Sequence, residues 1–201
     1  NISAYSSIEF KIDDKIKSVI GLRAENFVQK YTGENSGGTV KYDDEKVIDK
    51  LDIFPSTNFI YSLKENSNLR LAYSKTTARP SFKEVSIAEI YDPLSNMTFN
   101  GNINLKPSYI DNLDLRYELF GEDNQLFAIS GFYKSFKDPI ELTYYEASTE
   151  NFQPKNLGNA KVYGLELELR RQISQSLGIN INASVIESRQ QYGASELSLR
   201  T

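Results

Sequence analysis

The chain has 201 residues, with no cysteine, histidine or tryptophan, a net charge of −4 and a sequence pI near 5.1. These counts exclude disulfides, cysteine-ligated metal sites, typical zinc sites and any mechanism that needs a histidine, such as a Ser-His-Asp triad. The acidic balance, without a basic run, disfavours binding to a nucleic-acid backbone.

The sequence contains no run of about 18 apolar residues, so it predicts no transmembrane helix. A membrane location is not excluded, because transmembrane β-strands alternate apolar and polar residues and their mean hydropathy can be low. The mean hydropathy here is −0.47. The 13 tyrosines and 11 phenylalanines favour β structure with amphipathic aromatic positions.

Strict alternation of apolar and polar residues is the main periodicity along the chain, and this period is typical of β-strands. In the first run, for example, Ile8 and Phe10 share one face and Glu9 lies on the other. Eight strands are predicted on this basis: one around Ile8–Ile12, then Ile16–Tyr31, Phe54–Lys64, Leu69–Thr77, Asn112–Phe120, Leu126–Phe136, Val162–Arg171 and Ser176–Ser188.

The predicted connections alternate in length. Those after the first, third, fifth and seventh strands are short turns. The others are long loops at Tyr31–Asp52, Ala78–Pro107 and Asp138–Asn159, the last with strand extensions near Ile140–Tyr145. Strands of about 9–15 residues exceed the usual 5–6 and suit a tilted membrane crossing. Short periplasmic turns opposite long extracellular loops are typical of outer-membrane barrels. We therefore predict an all-β fold: a section of an antiparallel transmembrane β-barrel with about eight long strands.

Charged residues of the fifth and seventh strands fall on one parity, and charges facing lipid would be very costly. We therefore expect a water-filled lumen beside these residues: Asp114, Arg116, Glu118, Glu166, Glu168 and Arg170. The strand directions place both chain ends on the side of the long loops. Residues 1–201 are accordingly expected to form a partial β-barrel domain, an internal fragment without a plug domain or closing strand.

The runs LRLAYSKTTARPSFKE, YDP, NGNINLKP and YIDNLDLRYELF, then SGFYKSFKDPIE and NLGNAKVYGLELELRRQI, occur in this order. Together they resemble the barrel of TonB-dependent outer-membrane receptors, most closely the Bacteroidota-type branch, over about residues 54–188. The resemblance implies a location in the outer membrane of a Gram-negative bacterium, and a barrel of about 22 strands around an N-terminal plug.

The same resemblance implies the function. Such a receptor takes up a scarce nutrient, such as a siderophore, a cobalamin or a glycan, by binding and conduction and without enzymatic activity. The implied partners are outer-membrane lipid, the plug domain of the same parent chain, TonB through its N-terminal part, and a small-molecule or glycan ligand. No cofactor and no nucleic acid is expected.

Aromatic residues in the long loops are the candidate ligand contacts, because exposed aromatic rings suit a sugar ring or an aromatic siderophore. An aromatic girdle at the membrane interface, or packing of loop on loop, would explain the same residues. The candidates are Tyr91, Phe99, Tyr144 and Tyr145, with Phe152 nearby.

Other conspicuous residues are assigned structural roles. Pro80, beside Arg79, ends a strand because it has no N–H, with Phe82 covering the rim, and residues 101–107 form a turn. Glu166 and Glu168 could serve as an acid–base pair, and the acidic run at 43–45 could hold calcium. A hydrated lumen wall and a solvated loop are the preferred interpretations.

Two other classes of protein remain as alternatives. One is a soluble or surface-attached β-sandwich that binds glycans through its loop aromatics. The other is an outer-membrane barrel enzyme, which the absence of histidine and of a nucleophile motif disfavours.

Overall fold

The computed structural model describes residues 1–122, 124–145, 148–174 and 176–190, with only the backbone of Tyr145, Ser148 and Thr149. No helix in these segments is long and apolar enough to cross a membrane. The elements are β1 (Ile2–Lys11), β2 (Ile16–Glu34), β3 (Lys41–Lys64), β4 (Ser67–Ala78), α1 (Phe82–Val85), β5 (Glu89–Asp92), β6 (Met97–Asn100), β7 (Ser108–Phe120), β8 (Leu126–Lys137), β9 (Ile140–Tyr145), β10 (Ser148–Asn156), β11 (Asn159–Ser174) and β12 (Leu177–Gln190).

Eight long strands form one sheet in the order β1-β2-β3-β4-β7-β8-β11-β12, and all neighbouring pairs are antiparallel. These are the eight predicted strands, which the structure confirms. The β-sandwich alternative is wrong, because the long strands belong to a single sheet and not to two packed ones. Strands that are neighbours in this sheet are also consecutive in sequence, if the two long connections at residues 79–107 and 138–158 are left out; we call these connections the excursions.

The two faces of the sheet differ in chemistry. On one face, the register aligns Leu71, Leu115 and Leu165 across three strands of the sheet, and 49% of Leu115 and 60% of Leu165 is exposed. We call this the apolar face. The other face carries the charged residues predicted to line the lumen, among them Arg116 and Glu168, whose side chains form an ion pair. We call it the polar face, and it confirms that these charges share one side of the sheet.

The four short turns lie at one end of the sheet, which we call the turn end. Between β1 and β2, the carboxylate of Asp13 accepts hydrogen bonds from the backbone N–H groups of Lys15 and Ile16, at 2.8 and 2.7 Å. Between β7 and β8, the N–H of Gly121 donates to the carbonyl of Gln125. The other connections lie at the opposite end, the loop end.

The predicted loop at Tyr31–Asp52 is wrong. β2 and β3 continue beyond their neighbours as a hairpin, and only Asn35–Val40 connects them. The Asn35 side chain accepts hydrogen bonds from the N–H groups of Thr39 and Val40 and thereby closes the turn. At the tip of this hairpin, side chains on both sides of Lys41–Lys46 are exposed except Tyr42, so the charged residues do not alternate with apolar ones and the strand escapes detection.

The two long excursions contain further structure at the loop end. Residues 79–107 hold α1, β5 and β6, and residues 138–158 hold β9 and β10. The strands form a second sheet in the order β5-β6-β10-β9, in which β6 and β10 are parallel. The predicted strand extension near Ile140–Tyr145 is confirmed as β9.

Candidate functional site

The two long excursions fold together into one body, which we call the loop unit (residues 79–107 and 138–158). Its interior contains Val85, Leu105 and Leu157, each at most 2% exposed. Phe99 of β6 packs edge-on against Phe152 of β10, with ring centroids 5.5 Å apart. The loop unit thus has a small core of its own and is built as a defined surface.

Side-chain hydrogen bonds join the two excursions. The Asn156 amide donates to the carbonyl of Lys106 at 2.9 Å and accepts from the N–H of Lys106 at 2.8 Å. The Asn102 amide donates to the carbonyl of Pro154 at 3.1 Å. Asparagine can satisfy backbone donors and acceptors together, which suits loops whose backbone has no strand partner.

Helix α1 is held by both of its ends. The Ser81 hydroxyl accepts from the N–H of Glu84, and the Glu84 carboxylate accepts from the N–H of Ser81 at 2.6 Å, which completes a capping box. The carbonyl of Glu84 also accepts from the N–H of Asn102 at 2.7 Å. A Cβ atom built on Gly101 would lie 1.8 Å from the Ser86 carbonyl oxygen, so only glycine fits between these segments.

The protruding β2–β3 hairpin supports the loop unit from the side. Tyr31 of β2 is 4% exposed, its hydroxyl lies 3.3 Å from the Ser86 hydroxyl, and it accepts from the N–H of Ile87 at 3.2 Å. Its ring lies 5.9 Å from that of Phe82 and 6.1 Å from that of Tyr42. Phe82 therefore packs on the hairpin, although 63% of it stays exposed.

Arg79 anchors the start of the loop unit to the sheet. Its guanidinium lies 2.8 Å from the Glu25 carboxylate and 3.5 Å from that of Asp52, and it covers the Phe27 ring at 4.1 Å. The Tyr109 hydroxyl donates to Asp52 at 2.7 Å. These residues of four different strand regions form what we call the Arg79 cluster.

The Arg79 cluster occupies a place where two strands separate. The pairing of β3 with β4 ends at Ser56 and Ser74, although β4 continues to Ala78 alongside β7. Pro55, the next residue of β3, has no N–H to donate to a neighbouring strand. Pro80 is buried and follows the end of β4, as predicted, but the sequence gives no sign that Arg79 holds two carboxylates.

A cleft of about 610 Å³ lies between the loop unit and the loop ends of β8, β11 and β12, and Lys161 and Arg189 belong to its rim. A volume of this size is ordinary for small-molecule sites, which combine apolar walls with a few polar groups. The residues that line it include Arg79, Glu84, Phe136, Ile140, Val162 and Ser188.

The predicted contact residues all lie on the second sheet, but not on one face of it. The register aligns Phe99, Phe152 and Tyr144 on neighbouring strands, whereas Tyr91 pairs with Thr98 and so lies on the opposite face. Tyr91 is 58% exposed and Tyr144 is partly buried. The expected exposure of Phe99 is not observed, since it is 6% exposed. The Tyr145 side chain lies outside the described part of the structure.

Two charged residues beside these aromatics were not singled out in the sequence. The amine of Lys83 lies 4.6 Å from the centroid of the Phe99 ring. Hydrogen bonds from the Ser95 hydroxyl and the N–H of Leu94 lower the pKa of Asp92, which therefore stays ionised in the β5–β6 turn. Lys83 and Asp92 thus add one positive and one negative charge to the loop unit.

Further toward the turn end, ion pairs cross the polar face from strand to strand. Glu118 of β7 pairs with Arg70 at 2.7 Å and with Arg116 at 2.9 Å, and Arg116 pairs with Glu168 of β11 at 2.8 Å. Arg170 lies 3.4 Å from the other oxygen of Glu168. We call this series the ion-pair ladder. Glu168 is thus a member of the wall and not one of a pair of free carboxylates with Glu166.

Metal binding has no candidate cluster in the segments that the structure describes, where no three acidic side chains converge. In the predicted acidic run at 43–45, the Asp44 carboxylate forms an ion pair with Lys30 across the hairpin. This agrees with the interpretation of that run as a solvated segment.

Comparison with known proteins gives a family and a fold. The model of the outer membrane protein beta-barrel family matches residues 1–199. Among curated proteins, none matches the chain. Among solved structures, the siderophore receptor PirA from Pseudomonas aeruginosa is 18% identical with a TM-score of 0.72, and the match covers 94% of this chain and 34% of that one.

Two other solved structures agree. The copper transporter OprC is 18% identical with a TM-score of 0.72, over 94% of this chain and 29% of its own. The FrpB iron transporter from Neisseria meningitidis is 17% identical with a TM-score of 0.65, over 94% and 25%. The chain therefore spans about a third or less of the structures it matches. At this identity the likeness shows a shared barrel fold, and the Bacteroidota-type branch stays a prediction.

Proposed function

Because this chain belongs to the outer membrane protein β-barrel family, we propose that it is a section of a TonB-dependent receptor that takes up a scarce nutrient. The family places the chain in the outer membrane, with the apolar face toward lipid and the polar face toward the lumen. The loop end then faces the cell exterior, since long loops of such barrels are extracellular.

One observation supports the receptor proposal above the others. The two long extracellular connections are folded into a loop unit with a core, a capped helix and cross-links, and this unit stands over a cleft at the loop ends of β8, β11 and β12. A non-specific diffusion pore does not need a folded loop unit at its entrance. A receptor does, because binding residues on loops must be positioned by a rigid support.

We propose direct ligand contact for Tyr91, Tyr144 and Tyr145, and a supporting role for Phe99 in the core of the loop unit. Tyr91 offers an exposed ring whose hydroxyl already donates to Asn96 at 3.0 Å. Tyrosine presents a large amphipathic surface at low cost in conformational entropy, which suits siderophores and sugars alike. The ligand class remains a scarce nutrient such as a siderophore, a cobalamin or a glycan.

The proposed receptor also needs a plug domain, a closing strand and TonB. Residues 1–201 would form part of one barrel domain, while the plug domain and the closing strand belong to other parts of the parent chain. The ion-pair ladder lies on the lumen wall, where a plug domain of the same chain would contact it, and TonB would act through the N-terminal part. The task is binding and conduction without bond chemistry, in line with the receptors and transporters that share the fold.

Growth on limiting nutrients tests this function. A strain that lacks the full-length protein is expected to stop growing when one of ferric siderophore, cobalamin or a glycan is supplied at limiting concentration, and to recover with the wild-type gene. Tyr91→Ala is expected to raise the nutrient concentration for half-maximal growth about tenfold, as for loss of one aromatic contact. Tyr61→Ala, on the lipid face far from the loop unit, is the matched control. Unimpaired growth of the deletion strain on every nutrient of the panel would contradict the proposal.

A further inference from the structure

The apolar face carries a groove that the barrel architecture alone does not require. In the row Leu71, Leu115, Gly131, Leu165 and Val185, a glycine stands between two leucines of neighbouring strands. A depression of about 590 Å³ lies over this row, and Leu113, Tyr133, Tyr163 and Glu187 line its side toward the loop end. A Cβ atom on Gly131 would lie 3.4 Å from a methyl carbon of Leu165, so a larger side chain there would fill the groove.

A row of tyrosines lies directly above this groove, toward the loop end. Strand register places Tyr73, Tyr133 and Tyr163 in one cross-strand row on the apolar face, with Tyr133 and Tyr163 on adjacent strands. Tyrosines at such a position form the girdle that marks the interface between the hydrocarbon core and the headgroups. The groove therefore opens into the outer leaflet, immediately below its headgroups.

Cations occupy the next level above the tyrosines. The register places Lys75, Lys161 and Arg189 in one cross-strand row, and Lys137 two residues further toward the loop end on β8, the strand next to Lys161. We call these four residues the cation row. Lys137 and Lys161 are diagonal neighbours on adjacent strands, with Cβ atoms about 7–8 Å apart, so both amines can reach one anion.

The charges of the cation row are only partly compensated by the protein. The Glu187 carboxylate accepts from Arg189 at 2.7 Å, and the Asp111 carboxylate accepts from the Tyr73 hydroxyl at 2.7 Å. Among the residues that the structure describes, neither Lys137 nor Lys161 has an ion-pair or hydrogen-bond partner for its amine. Two uncompensated amines at headgroup depth attract the phosphate of a lipid.

We propose that this surface binds a phosphorylated glycolipid of the outer leaflet, with one fatty chain in the groove at Gly131 and a phosphate between Lys137 and Lys161. The apolar groove and the two lysines lie on the same strands, one above the other. Along β11, four residues separate Lys161 from Leu165, about 13 Å at about 3.3 Å per residue, so a fatty chain whose phosphate lies at the lysines passes the tyrosines before it enters the groove. Cations on the polar face of the same strands, such as Lys134, cannot take part, because they point into the lumen.

Native mass spectrometry of the full-length protein in detergent tests the site, with bisphosphorylated lipid A as the probe. The same lipid after removal of its phosphates, and phosphatidylglycerol, serve as comparisons. The wild-type protein is expected to retain the bisphosphorylated form above both others. Lys161→Gln and Lys137→Gln are each expected to weaken this retention about fivefold. Gly131→Leu is expected to weaken retention of the phosphorylated and the dephosphorylated form alike, because it fills the groove.

Lys134→Gln is the matched control, since it removes the same charge from the other face of β8 and is expected to leave retention unchanged. Folding of each variant is checked by the heat-dependent shift of the barrel in gel electrophoresis, and the single lysine variants keep the test open if Gly131→Leu does not fold. Equal retention by wild type and both lysine variants would overturn the proposal. Retention of phosphatidylglycerol as tight as that of lipid A would overturn the assignment to an outer-leaflet glycolipid.

Discussion

Gly101 is the residue through which the integrity of the loop unit can be tested most sharply. In a Gly101→Ala variant, the new Cβ atom would lie 1.8 Å from the Ser86 carbonyl oxygen and 3.0 Å from that of Glu84. Both neighbours are backbone atoms, so no side-chain rotation relieves the contact. The segment that follows α1 and the end of β6 must move apart.

The cost follows from two contributions. Overpacking against a fixed backbone costs about 1–3 kcal/mol, and the hydrogen bond from Asn102 to the Glu84 carbonyl, now 2.7 Å, contributes about 1 kcal/mol more when it is lost. Together they give about 2–4 kcal/mol, and even the lower end raises the open population, and with it the rate of amide exchange, about 30-fold. The increase is expected within the loop unit and not in the long strands.

Hydrogen exchange of the full-length protein in detergent, read by mass spectrometry, measures this directly. Peptides from residues 79–107 and 138–158 are expected to exchange faster in Gly101→Ala, while peptides from β7 stay unchanged. Gly37→Ala is the matched control, because a Cβ atom there meets nothing closer than 3.9 Å. Exchange in Gly101→Ala that equals the exchange of the control would refute the packing of the loop unit described above.

Three further predictions concern the anchor, the faces and the hairpin. Arg79→Gln is expected to lower the free energy of unfolding by about 1–3 kcal/mol in urea titrations, since it leaves the Asp52 carboxylate without its cation while Glu25 keeps Arg23 at 2.9 Å, and adding Asp52→Asn should recover part of the loss. Leu115→Lys on the lipid face is expected to cost about 2–4 kcal/mol and to reduce assembly into outer membranes, whereas Asp114→Lys on the lumen face should assemble normally. Tyr31→Phe is expected to lower the melting temperature of the loop unit by removing the hydrogen bond to the N–H of Ile87, at a cost of about 1–3 kcal/mol, and an unchanged melting temperature would show that this contact contributes nothing.

The long strands and their faces could be predicted from the sequence. In a wall between lipid and water, the side chains along each strand must alternate between apolar and polar. Leu113, Leu115 and Leu119 against Asp114 and Arg116 carry that signal without ambiguity. The same rule explains why the sequence predicts a loop at Tyr31–Asp52, above the membrane, where the structure has a hairpin. Between Lys41 and Lys46 every side chain except Tyr42 is exposed, on both sides of the hairpin, so the period disappears although the strand does not.

The candidate site was predictable only in part, since it depends on contacts between residues far apart in sequence. The loop aromatics could be named, but Phe99 is buried in the small core, and burial depends on the register of β6 with β10. Likewise Arg79 meets Glu25 and Asp52 only because β2, β3 and β4 align at one height and β3 separates from β4 at Pro55. No local pattern around Arg79 carries that information.

The long strands form a barrel wall with lipid on one side and water on the other, and this can be tested directly on β7. The absence of cysteine from the chain allows single cysteines to be placed along β7 and labelled with a nitroxide in the reconstituted protein. Spin-label accessibility is expected to alternate residue by residue: oxygen, which partitions into lipid, reaches positions 113, 115 and 117, and a water-soluble nickel reagent reaches 114, 116 and 118. Equal access of both reagents at all six positions, or alternation in the opposite sense, would contradict the account.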